Sequence, residues 1–152
     1  MVIFGVRVPR GMKAPKRTVD KAMKSAGLAM MQHWIDNYLP LHFKTIAYTR
    51  YPGTYKRRHE PKGEPTRGQH DPAPLKESGM AEMEARLSAR AHGTSSKVSA
   101  SFTVPMHVLR LKAQGYDPEA ELSVVNAEET RQMLKVFEGV YAAELQRLLD
   151  EG

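Results

Sequence analysis

Between residues 50 and 67 the chain gathers Arg50, Tyr51, Tyr55, Lys56, Arg57, Arg58, Lys62 and Arg67, with Tyr48 just upstream. Guanidinium and ammonium groups neutralise phosphates or carboxylates, and phenol rings interleaved with them stack on bases or pack into a neighbouring surface. No helix-turn-helix, zinc-finger or RNA-recognition signature accompanies the set, so it points to backbone-directed contact with a polyanion, or to docking between subunits, and not to sequence readout. The remaining chemistry-bearing residues form no catalytic pattern. The histidines (His33, His42, His59, His70, His92 and His107) are scattered, and His59-Glu60 lacks the second histidine four residues on that a zinc-protease helix requires. Without cysteine there is no disulfide, thiolate zinc site or cysteine nucleophile. Gly53, Gly63 and Gly68 lie among prolines instead of between a strand and a helix, so they build no phosphate-cradling loop. No serine sits in a nucleophile elbow. The expectation is a protein without catalysis, cofactor or metal.

The elements that must position the basic set follow from periodicity. Residues 2–8 (VIFGVRV) have strand composition, stopped by Pro9 and Gly11. From a Thr18 N-cap, Val19, Met23, Ala26, Met30, Trp34 and Tyr38 recur at helical spacing, with Trp34 as a core anchor. Pro40 ends that helix, residues 39–43 (LPLHF) turn aromatic bulk back to the core, and Ile46, Ala47 and Tyr48 add one helical turn. Residues 50–79 carry Pro52, Pro61, Pro65, Pro72 and Pro74 together with glycines through Gly79, which excludes a long helix or a central strand. This stretch reads as an extended basic arm over about residues 50–74, leading into a short helix within 74–83. The period then falls to two: Leu87, Ala89 and Ala91, then Val98, Ala100, Phe102 and Val104, alternate with polar residues about a Gly-Thr-Ser-Ser turn, predicting an antiparallel hairpin. Residues 107–112 lead towards a further element, and residues 122–125 are expected as an edge strand. Asn126 with Glu129 forms a capping box for a last helix whose stripe is Met133, Phe137, Val140, Tyr141, Leu145, Leu148 and Leu149. The predicted fold is α+β, one domain over residues 1–152, with two amphipathic helices covering a small antiparallel β-sheet and a long basic extended arm.

Charge is distributed unevenly along this plan. Residues 1–70 hold 14 Lys and Arg against 4 Asp and Glu, net +10, and residues 71–152 hold 9 against 13, net −4, which together give the chain's +6. That polarity suits a subunit placing its basic side on phosphate, or on the acidic half of another copy. No apolar run approaches a membrane span, and the N-terminus lacks the pattern of a signal peptide, so a soluble protein made in the cytoplasm is expected.

Two resemblances bear on function. The segment His70-Asp71-Pro72-Ala73-Pro74-Leu75 resembles the His and Pro-Leu core of HNH nucleases, but it has three residues before the Pro-Leu pair where that family usually has two. No Asn or His follows between Leu75 and Arg90 to hold its metal. The broader likeness is to small neck or tail-completion proteins of tailed bacteriophages, and it spans roughly residues 18–150. It is carried by Trp34, by Leu39-Pro40-Leu41-His42-Phe43, by Tyr51 and Tyr55-Lys56-Arg57-Arg58, and by Pro74-Leu75 with Ser78-Gly79 before a hairpin and a charged last helix. The resemblance implies a virion structural protein without catalysis, a homo-oligomeric ring around the DNA channel, and contacts with portal-side and tail-side virion proteins, with no membrane role. The alternative from the residues alone is a small non-specific nucleic-acid-binding protein using the arm.

Overall fold

The stripe that starts at Val19 folds as α1 (Lys16–Asn37), the longest element of the N-terminal half. The computed structural model describes residues 2–5, 14–54, 80–104 and 117–151. The helix opens two residues before the expected Thr18 cap. The Pro15 carbonyl accepts from the amides of Thr18 and Val19, and proline's fixed φ suits a helix entrance. Pro40 stops α1 as expected, and residues Leu39–Phe43 tighten into a 3₁₀ turn that buries Leu39, Pro40, His42 and Phe43. A single turn, α2 (Ala47–Arg50), follows.

The buried positions of α1 are Val19, Ala22, Met23, Ala26, Gly27, Met30, Met31, Trp34 and Ile35, a band wider than one contact face needs. It serves two neighbours. One side of α1 lies on the sheet formed by β1 (Val2–Gly5), β2 (Arg90–Gly93) and β3 (Lys97–Ser101), in the order β1-β3-β2 with both pairings antiparallel. The other side packs along the last helix, α5 (Ala127–Asp150), in the most extensive contact between elements. The two long helices are antiparallel: Glu129 acts on Tyr38 at one end of the pair, and Lys21 on Glu144 at the other. The α+β class therefore takes the form of sheet, α1 and α5 in successive layers.

The hairpin closes through Thr94, whose amide donates to the Lys97 carbonyl at 2.8 Å and whose hydroxyl accepts from the amides of Ser96 and Lys97. Val98 and Ala100 of β3 face α1, while Lys97, Ser99 and Ser101 turn outwards. The expected first strand is shorter than its alternation suggested. Residues 80–88 are helical as α3 (Met80–Ser88), with Ala81 and Ala85 buried one turn apart, and Leu87 projects from that helix into solvent. The edge strand expected at 122–125 is absent. Residues Pro118–Leu122 instead form a short helix, α4, and residues 123–126 are a connection without strand pairing. The cause lies in Asp117-Pro118-Glu119. The Asp117 side chain accepts from the Ala120 amide at 3.2 Å, proline fills the first helical position, and Glu119 and Glu121 face the positive end of the helix dipole. The expected continuation of the first strand to Val8, and the elements expected at 107–112 and within 74–79, lie outside the described residues.

Contact between α1 and the sheet depends on the absence of side chains. A Cβ placed on Gly27 would lie 2.2 Å from Val98 Cγ1, and one on Gly93 would meet both Val98 Cγ1 and Leu28 Cδ2 at 3.2 Å. Glycine within a helix costs about 1 kcal/mol relative to alanine, so Gly27 is the residue of closest approach and not a helix former. Gly139 in α5 has no atom within 4 Å of such a Cβ. Gly27→Ala is therefore expected to lower unfolding stability by roughly 1–3 kcal/mol despite its better propensity, whereas Gly139→Ala raises it by roughly 0.5–1 kcal/mol. Urea denaturation of the two variants measures the contrast.

Candidate functional site

At the N-terminus of α5 the capping box predicted from sequence is formed. The Glu129 amide donates to Asn126 Oδ1 at 2.9 Å, and the Asn126 amide donates back to Glu129 Oε2 at 3.4 Å. A capping glutamate is ordinarily exposed, but Glu129 has no exposed surface. Its Oε1 accepts from Arg50 Nε at 2.8 Å, from the Tyr51 hydroxyl at 2.5 Å and from Asn126 Nδ2 at 3.3 Å. The Arg50 guanidinium also reaches Glu128 Oε2 at 3.5 Å and lies over the Tyr38 ring, 5.4 Å from its centroid. Burial, and then the hydrogen bond to Glu129 and its charge, hold the Tyr51 phenol far above its usual range, so it remains a donor. The arrangement is a buried carboxylate satisfied by one cation, one phenol and its own helix cap.

This geometry corrects the placement of two residues expected in the arm. Tyr51 is 2 % exposed and belongs to the core, and Arg50 is engaged by Glu129 and Glu128. Burial of the Tyr51 ring, which stacks on His42 at 4.3 Å, outweighs the polar sequence context from which its exposure was expected. Arg50 and Tyr51 thus form a root that holds the chain to α5 where the basic run begins. Tyr55, Lys56, Arg57, Arg58, Lys62 and Arg67 lie outside the described residues, as do Pro74, Leu75, Ser78 and Gly79. Sequence reading recognised Glu129 as a helix cap but not as this anchor. Its partners are 78 and 79 positions away, and no local pattern encodes such a pairing.

Behind the root lies an aromatic cluster. Trp34 is 5.9 Å from His42 and 6.3 Å from Phe102 between ring centroids. His42 is fully buried and bonds to the Glu121 backbone, which ties the 3₁₀ turn to α4. Burial lowers its pKa from 6.5 to about 4, a shift that the Glu121 contact opposes and the Arg50 charge assists. A neutral core imidazole is its structural state. Among the described residues no group of three or more His, Cys, Asp or Glu is placed to hold a metal ion, and no helix is long and apolar enough to cross a membrane.

Compared with protein-family models, curated proteins and solved structures, the chain finds no match.

Two expectations follow from the buried site. Glu129→Ala removes the acceptor of the Asn126 amide and leaves Arg50 and Tyr51 without their shared partner, a loss of about 3–5 kcal/mol by chemical denaturation, whereas Tyr51→Phe costs about 1–2 kcal/mol. The pH dependence comes from His42. The unfolded chain takes up a proton below its ordinary value of 6.5 that the folded imidazole refuses down to about 4, so stability falls as pH falls through that window. Between pH 7 and 5 the loss is about 2 kcal/mol, and His42→Phe should flatten that part of the profile.

Proposed function

We propose that the protein is a virion structural subunit of a tailed bacteriophage, a neck or head-to-tail connector or tail-completion protein that assembles as a ring between portal and tail. The observation that carries this reading is the locked root of the arm. Arg50 and Tyr51 fix the start of the basic segment to a buried carboxylate, so force on the arm passes into α5 and the core. A root of this kind suits a chain segment that grips a neighbour, and the net +10 and net −4 halves of the sequence suit head-to-tail contact between identical copies. Large apolar side chains left exposed at Ile46, on α3 at Met83 and Leu87, and on α5 at Leu134 supply material for more than one interface.

In this reading Lys56, Arg57, Arg58, Lys62 and Arg67 meet an adjacent subunit or the DNA in the channel, and the partners are further copies of the chain and virion proteins on the portal and tail sides. The protein acts by assembly and not by catalysis. Disrupting its gene in the parent phage is expected to yield filled heads and free tails that fail to join, with joining restored by the intact protein but not by Arg57→Glu with Arg58→Glu. Purified particles should contain it in many copies. Normal head-to-tail joining without the protein would overturn the proposal, and a monomer or dimer absent from particles but tightly bound to DNA would favour the non-specific nucleic-acid binder.

A further inference from the structure

Residues 7–24 contain seven Lys and Arg against the single acid Asp20, so this short stretch alone carries +6, equal to the net charge of the whole chain. The first three turns of α1 show how part of that charge is arranged. Lys16, Arg17, Lys21 and Lys24 are all exposed and, together with Asp20 and with Ser95 of the hairpin turn, line one open depression of about 550 Å³. At about 100° per residue the five charged positions fall within an arc of about 140° on the helix, opposite the side that carries Val19 and Ala22 into the core. From the hairpin turn only Ser95 lines the depression, so the cations border a shallow, open groove.

Among the described residues these charges are poorly matched. The first turn of α1 has no acidic residue, so Lys16 and Arg17 sit at the positive end of the helix dipole, where cations are unfavourable. Asp20 is the acid within the depression. Glu144 acts on the Lys21 side, but its carboxylate already accepts from Arg147 at 2.8 and 2.9 Å. From Lys16 to Lys24 the helix rises about 12 Å, which is the axial length of three to four successive phosphates on one strand of duplex DNA at about 3.4 Å each.

We infer that the groove between the N-terminal half of α1 and the β2–β3 turn binds the phosphate backbone of double-stranded DNA without sequence preference. Its cations are distinct in sequence from those at residues 56–67, and it serves a ring subunit or a free binder equally well. Four cations on phosphate give a slope of log affinity against log salt of about −3.6, so their contribution weakens about 100-fold between 50 and 200 mM salt.

The test is fluorescence anisotropy of a labelled random-sequence 20-base-pair duplex titrated with the full chain over that salt range. The variants are Lys16→Gln/Arg17→Gln/Lys21→Gln/Lys24→Gln and, separately, Lys56→Gln/Arg57→Gln/Arg58→Gln, with thermal melts to establish that both fold. The α1 variant is expected to lose between three and four from the slope magnitude while the arm variant retains the α1 share. The inference is overturned if the α1 variant is folded and binds with the wild-type slope, if wild-type protein does not bind the duplex, or if it binds only anionic lipid vesicles presented as a competitor. Failure of the genetic joining experiment would leave this result standing, so the two proposals fail separately.

Discussion

A carboxylate removed from water must be met by partners or it unfolds what surrounds it, and Glu129 is the point where this constraint governs the molecule. One oxygen receives Arg50, Tyr51 and the Asn126 side chain, so a single residue joins the first turn of α5, the end of α2 and the edge of the aromatic cluster. The satisfaction is mutual, because a buried phenol and a half-buried guanidinium need an acceptor as much as the carboxylate needs donors. What would otherwise be an ordinary helix cap thereby fixes the register between the two halves of the sequence.

The second organising constraint is steric. α1 touches the sheet on one side and α5 on the other, so its two faces are held to different spacings. On the sheet side, Gly27 and Gly93 allow Val98 to approach the helix backbone directly. On the α5 side, Met133 and Phe137 are buried from the facing helix while Met23, Met30 and Met31 fill the core from α1. Methionine's unbranched chain adapts to irregular gaps, which suits a helix packed on both sides by unlike surfaces.

What the sequence disclosed, and what it hid, follows from how local each signal is. The α1 stripe, its stop at Pro40, the Asn126–Glu129 box and the alternation of β3 are encoded by residues within a few positions of one another; the first three are found as read, and the alternation holds over Lys97–Ser101, where the strand ends short of the expected Phe102 and Val104. The reading failed where two short patterns abut. Leu87, Ala89 and Ala91 alternate only because a helix end and a strand start happen to follow each other, and Val124-Val125 drew attention from the Asp-Pro-Glu helix start just before them. It failed also where composition was asked to predict exposure: Tyr51 stands among arginines and prolines, yet His42 and Glu129 provide it with a buried place. Long-range pairing of that kind leaves no mark in the neighbouring residues.

The antiparallel pairing of α1 with α5 also fixes a distance. Arg50, where the basic run begins, sits against Tyr38, just past the C-terminal end of α1, and the basic groove is centred near Asp20 at the other, so about 27 Å of helix separates them. A rod of that length sets the start of the basic run and the basic depression far apart on one rigid element. Laid along a duplex, the interval corresponds to about eight base pairs, too long for both ends to share one group of phosphates.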